Sequence, residues 1–238
     1  MTWKRKKVEC RAELLGYKTT YLHFPAKHAK GTLVCFHGWL DNAASFVPLA
    51  ESLPDYEFFA WDFLGHGKSA HKHLGDRYHY IDLIPFIDAA LFHLGKDNII
   101  LTGHSMGGHG ALVLALRHPG RFRSVSALAP ICNPSVVPWG RKAFTAYLGE
   151  DPAAWHEHDA VELLRRGARL PGSPLIDQGE ADKFLADQLH PDTLARVCAE
   201  QAQPLTLRRH PGYDHSYFFI ATFIADHIAH HARALTTA

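Results

Sequence analysis

Asn98 to Gly107 reads NIILTGHSMG, and the chain continues GHGALVLALRH to His118. Asn98 to Thr102 (NIILT) is a short apolar run with adjacent β-branched residues, which reads as a buried strand. Met106 to His118 carries a helical pattern, stopped by Pro119-Gly120. Between them Gly103-His104-Ser105-Met106-Gly107 fits G-x-S-x-G. A serine in this pattern between a strand and a helix sits on a sharp turn that lifts its hydroxyl above the sheet. The backbone there is strained, and the flanking glycines leave room for the neighbouring strand and helix. The helix start also favours a developing negative charge. Ser105 is therefore the candidate nucleophile; the plain alternative is a Gly/Ser turn with no chemistry.

Outward from this turn, short apolar runs alternate with helical patterns, the signature of a mostly parallel sheet with helices on both faces. Thr32 to Phe36 (TLVCF), Glu57 to Trp61 (EFFAW), Ser124 to Ala129, Leu175 to Gln178 and Leu205 to Arg209 read as further strands. Val8 to Ala12 and Thr19 to Phe24 suggest a leading hairpin at the sheet edge. Ser45 to Ser52, Tyr80 to Leu94 and the segment from about Ser216 read as helices, with Pro85 marking a first turn or a kink. Residues 133–173, rich in Pro and Gly, read as irregular and helical by turns, too short for a large lid. No repeat or low-complexity linker interrupts the 238 residues, a length that suits one domain, 1–238.

A serine hydroxyl needs a base to take its proton. On such sheets the acid and then the histidine follow the serine in chain order. His215, in Gly212-Tyr213-Asp214-His215-Ser216 just past the last strand, is the candidate base, with His210 as the alternative nearer that strand. Asp182 follows the strand before it, at the strand's C-terminal end where sites form in open α/β sheets. Asp177 within that strand, Glu180, Asp187 and Asp214 are the other carboxylates in range. Acyl transfer also needs two donors for the oxyanion. The Met106 N–H and the Trp39 N–H, in the His37-Gly38-Trp39 loop after the Thr32 to Phe36 strand, fill those positions.

Composition sets the limits. With 25 Lys and Arg against 24 Asp and Glu, the formal net charge is +1, which argues for neither nucleic acid nor an anionic membrane as partner. Lys4 to Lys7 reads as a solvated basic tail. No apolar run reaches the length of a membrane span, and no secretory core precedes the domain. Cys10, Cys35, Cys132 and Cys198 are scattered, as expected for reduced thiols in a cytoplasmic protein. The 19 histidines show no metal-ligand spacing; His227, His230 and His231 read as a solvated helix end. No metal or organic cofactor is expected.

Five stretches resemble one family. GHSMGGHGALVLA (Gly103 to Ala115), APICNP (Ala129 to Pro134), PWGRKAFTAYLG (Pro138 to Gly149), IDQGEADKFL (Ile176 to Leu185) and PGYDHSYFFI (Pro211 to Ile220) are similar to S-formylglutathione hydrolase, also called esterase D. The resemblance runs from roughly Asn98 to His231. It implies the α/β-hydrolase fold, a triad of Ser105, Asp182 and His215, and cleavage of small acyl esters or thioesters. The first half resembles a different branch of that fold, in FHGWLDNAASF (Phe36 to Phe46) and WDFLGHGKS (Trp61 to Ser69). That branch includes broad-range serine hydrolases and carbon–carbon bond hydrolases. The chain thus reads as a mosaic of two hydrolase subfamilies joined near 94–101, by recombination or by engineering. Carbon–carbon bond hydrolysis, and a scaffold with a loosely held triad and little activity, stay open as alternatives. Oligomeric state is not legible.

Overall fold

The computed structural model describes residues 5–37, 41–76, 78, 83–95 and 99–236. The chain forms two compact units, Met1–Ile100 and Leu101–Ala238. Their boundary falls inside the 94–101 segment.

In the first unit, β1 (Val8–Leu14) and β2 (Tyr17–Phe24) form an antiparallel hairpin. Its two-residue turn, Leu15 and Gly16, takes φ of 54° and 80°, the hand that suits the twist of the flanking strands. β2 runs antiparallel to β4 (Glu57–Trp61), β4 parallel to β3 (Thr32–Phe36), and β3 parallel to the start of β5 (Ile99–His104). The order is β1-β2-β4-β3-β5. Exposure alternates along most of β1, as at an edge, whereas Thr32 to Cys35 of β3 are buried on both faces. A 3-10 turn at Ala43–Phe46 leads into α1 (Val47–Ser52), and Pro85 lies in the first turn of α2 (Leu83–Leu94).

One expectation fails here. Arg5 is not part of a solvated tail. Its guanidinium donates to the carbonyls of Ala50, Leu53, Phe24 and Tyr56 and lies 5.8 and 5.9 Å from the Phe24 and Phe58 ring centroids. Carbonyls converge where β2 and α1 end, and a planar five-donor fork satisfies several at once.

In the second unit the strand order is β5-β6-β7-β8, with β6 (Phe122–Leu128), β7 (Leu175–Gly179) and β8 (Thr206–His210) parallel. The helix after β5, α3 (Met106–Arg117), is buried without a break from Gly108 to Leu116, so it is covered on all sides. The Pro/Gly-rich stretch folds as α4 (Pro138–Leu148), α5 (Pro152–His156) and α6 (Ala160–Arg165). Asp151 and Asp159 cap α5 and α6 by accepting the N–H groups of Ala153 and Val161. α7 (Pro191–Glu200) is absent from the sequence reading, although proline at its first position marks a helix start.

The last helix, α8 (Tyr217–Thr236), corrects a second expectation. His227 and His231 are fully buried, not solvated. His231 lies 2.6 Å from Ser124 Oγ through Nδ1 and 2.8 Å from Ser126 Oγ through Nε2. Ser126 donates to Thr102 Oγ1 at 2.9 Å, so it accepts from Nε2–H, and Ser124 donates to Nδ1. Burial, then the charges of His230 and His227, hold His231 far below the ordinary histidine range, so the ring is neutral. Polar residues thus dock α8 as an adapter between its histidine face and the β6 serines.

Asp177, fully buried in β7, ties three elements together. It accepts from Arg208 Nε of β8 at 2.6 Å, from Arg208 Nη2, and from His227 Nε2 of α8 at 3.2 Å. His210 Nε2 stands 3.3 Å away. Burial pushes the Asp177 carboxyl up, but the hydrogen bonds and charges of Arg208 and His227 outweigh it and hold it well below the usual range. Because the folded value lies below the unfolded one, this carboxylate stabilises the fold fully above about pH 4–5, and the contribution fades as pH falls towards the folded value. Asp177→Asn is expected to lower stability by about 2–3 kcal/mol at neutral pH. The difference from the parent should shrink in acid. Urea unfolding at pH 7 and pH 3 checks both; an equal difference at the two pH values would contradict the ionic role.

Candidate active site

β5 ends at His104, and Ser105 turns the chain into α3 with φ 54° and ψ −118°. A positive φ in a residue with a side chain is strained and persists only where its surroundings over-determine it. Two backbone bonds do so: Ser105 N–H donates to Leu128 O of β6 at 2.9 Å, and Ser105 O accepts from His109 N–H at 3.0 Å. Gly103 is required, since a Cβ there would stand 2.2 Å from Gly107 O. At Gly107 the expected collision does not arise, as a Cβ would meet nothing within 4 Å among the described residues. The tighter spot is Gly108, whose Cβ would press on Pro130 and Ala127 at 3.1 and 3.2 Å.

The loops after β7 and β8 carry the other two candidates and are laced to each other. Glu180 N–H donates to His210 O at 3.0 Å, and Ala181 N–H donates to Tyr213 O at 2.9 Å. Gly179 allows that approach, because a Cβ there would lie 2.3 Å from Tyr213 O. The lacing brings His215 Nδ1 to 2.5 Å from Asp182 Oδ2. Asp182 is 5% exposed and also accepts Phe184 N–H at 2.9 Å and Gln178 Nε2 at 3.3 Å. Burial raises its pKa; the hydrogen bonds from His215, Phe184 N–H and Gln178, with the charge of His215, outweigh that and leave it below the ordinary value. It is therefore a carboxylate at neutral pH and accepts the proton on Nδ1, which leaves the lone pair of His215 on Nε2.

The competing residues are elsewhere. Asp177 binds Arg208 and His227, as its place within the strand suggests. His210 stacks on Phe223 at 3.7 Å. Asp214 turns back to accept Ser216 N–H at 3.0 Å, and Glu180 and Asp187 are exposed. Met106, the first residue of α3, lies where helix N–H groups lack an intrahelical acceptor. Trp39 lies outside the described residues. Three neighbours of His215 or Asp182 carry no motif signal that spacing alone could detect. They are His104 at the end of β5, Gln178 in β7 and Phe184 in the loop after β7, brought together by the packing of neighbouring strand ends.

A sheet of this order, with a strained serine between strand and helix and a His–Asp pair on the following loops, defines the α/β-hydrolase fold. Residues 17–230 match the model of the Esterase family, and the chain belongs to it. An S-formylglutathione hydrolase of Arabidopsis thaliana is 57% identical over 135 residues, which are 57% of this chain and 48% of that protein. The chain thus spans about half the length of that curated relative. The solved S-formylglutathione hydrolase of Agrobacterium tumefaciens is 30% identical, with a TM-score of 0.77 over 96% of this chain and 94% of that one. The 2-hydroxy-6-oxo-6-phenylhexa-2,4-dienoate hydrolase of Rhodococcus sp. strain RHA1 shares the fold, with 15% identity and a TM-score of 0.62 over 94% and 99% of the two chains. No helix among the described residues is long and apolar enough to cross a membrane. Nor do the described residues include a group of three His, Cys, Asp or Glu placed to hold a metal ion.

The close approach at Gly179 generates a test. Gly179→Ala is expected to force the 213–215 loop away from β7 and to lower kcat for a small ester by at least about tenfold, since a 1 Å shift of a catalytic group can cost about a hundredfold. Esterase assays on the folded variant, verified by circular dichroism, check this. Unchanged kcat would show that the lacing does not set the position of His215.

Proposed function

We propose that the chain hydrolyses small acyl esters or thioesters through an acyl-enzyme on Ser105. The His215–Asp182 hydrogen bond, formed to an ionised and nearly buried carboxylate, carries this reading. In it, His215 Nε2 takes the proton of Ser105 Oγ as the oxygen attacks the acyl carbon. The Met106 N–H donates to the oxyanion, and the Trp39 N–H, assigned on sequence position alone, is the second donor. The imidazolium, steadied by Asp182, passes its proton to the departing alcohol or thiol. Water then enters, gives a proton to Nε2 and attacks the acyl-enzyme, and the proton returns to Ser105 as the acid leaves. Membership in the Esterase family supports this chemistry. Carbon–carbon bond cleavage gains no support, because a likeness at 15% identity speaks for the fold alone.

We further propose one hydrolase domain over 1–238, since the family match runs through the unit boundary. A mosaic origin rests on the motifs of the two halves alone, and the single family match across residues 17–230 lends it no support. Four unpaired thiols suit a reducing, cytoplasmic setting.

Two outcomes follow. Ser105→Ala is expected to abolish labelling by a fluorophosphonate, and Asp182→Asn to lower kcat by about 10³–10⁴, with both variants folded; labelling of the Ser105→Ala variant would remove the assignment. On substrates, p-nitrophenyl acetate should be cleaved faster than the octanoate. S-formylglutathione should be favoured over a simple thioester of similar reactivity by less than about a thousandfold in kcat/KM, because the first half lacks that family's own motifs. A larger ratio, about 4 kcal/mol of discrimination, would show an intact glutathione site.

A further inference from the structure

His104 precedes the nucleophile and takes no part in the chemistry above. Its ring centroid lies 4.5 Å from that of His215, at 43°. Phe184 also meets the His215 ring, edge to face at 5.3 Å and 89°. Asp182 holds the same ring at Nδ1. A single hydrogen bond is a pivot: it fixes one nitrogen and leaves the imidazole free to tilt, because the torsion to an aromatic ring is broad. Two rings against its sides remove that freedom. His104 also comes from the strand that ends in the nucleophile, so it links the position of His215 to that of Ser105.

The Nε2 of His104 is buried without a hydrogen bond among the described residues. Burial, then the charge of His215, pushes its pKa down to about 4, against the pull of Asp182. The ring is therefore neutral at neutral pH.

We propose that His104 is a positioning residue whose ring, together with that of Phe184, holds the His215 imidazole at the angle that serves Ser105. The inference rests on the reading of Ser105 and His215 as nucleophile and base. What the position requires is a flat ring, not a proton carrier.

The test compares His104→Ala with His104→Phe in p-nitrophenyl acetate hydrolysis, alongside Ser105→Ala. His104→Ala is expected to lower kcat roughly ten- to hundredfold with KM within about twofold, because binding is untouched while the base is misplaced. His104→Phe should recover kcat to within about threefold of the parent. The acid limb of its kcat/KM profile should not move, and its Tm should be no lower, since it removes a buried unpaired nitrogen. Parent kcat in His104→Ala would overturn the positioning role. So would failure of His104→Phe to recover kcat, or a shifted acid limb, either of which would assign the work to an imidazole nitrogen. Turnover by Ser105→Ala equal to the parent would instead overturn the underlying reading, so the two failures are distinct.

Discussion

The backbone reversal at Ser105 is the constraint on which the rest of the second unit depends. A φ of 54° with ψ of −118° is held at a cost of about 1–3 kcal/mol. The strand before it and the helix after it both have to be immobile for that strain to persist. They are: α3 is buried from Gly108 to Leu116, and Ser105 is bonded through its own N–H to β6 and through its carbonyl to the first turn of α3. The absence of a Cβ at Gly103 is part of the same device, because the reversal folds residue 103 back onto the carbonyl of residue 107.

Two aspartates five residues apart show how environment divides labour between identical groups. Both carboxyls are driven up by burial and pulled down further by their partners. Asp177 points from within β7 to Arg208 and His227, so its charge joins β7, β8 and α8. Asp182 lies past the strand end, where its partner is a histidine on the next loop. The first arrangement uses a permanently charged donor and resists change. The second pairs the carboxylate with a ring that has a second nitrogen to spare, which is what proton transfer requires. Family membership and the His–Asp geometry meet at this second aspartate.

Polar residues do more of the packing than composition suggests. Arg5 gathers carbonyls in the first unit, and in the second His231 joins two serines of β6 while Asp159 caps α6. Each replaces hydrogen bonds to water by ones inside the protein, although Arg5 Nε is buried without a partner among the described residues. A place near a chain terminus or a helix end suggests solvent, which is the expectation that Arg5 and the α8 histidines overturn.

Alone, the sequence determined the strand-turn-helix at Ser105 and the strands after which Asp182 and His215 lie. These are local: apolar runs, a glycine-flanked serine and the loop positions after consecutive strands depend on neighbours within a few residues. That Asp177 lies within its strand and Asp182 after it was legible, and the structure pairs the first with Arg208 and the second with His215. What only tertiary structure decided is which groups meet across loops. The bond between His215 and Asp182, the rings of His104 and Phe184 on His215, and the burial of His227 and His231 join residues tens of positions apart. The contacts of His215 form because parallel strands bring their C-terminal ends side by side, and those of His227 and His231 because α8 packs on β6 and β7; no spacing along the chain encodes which side chains then face each other.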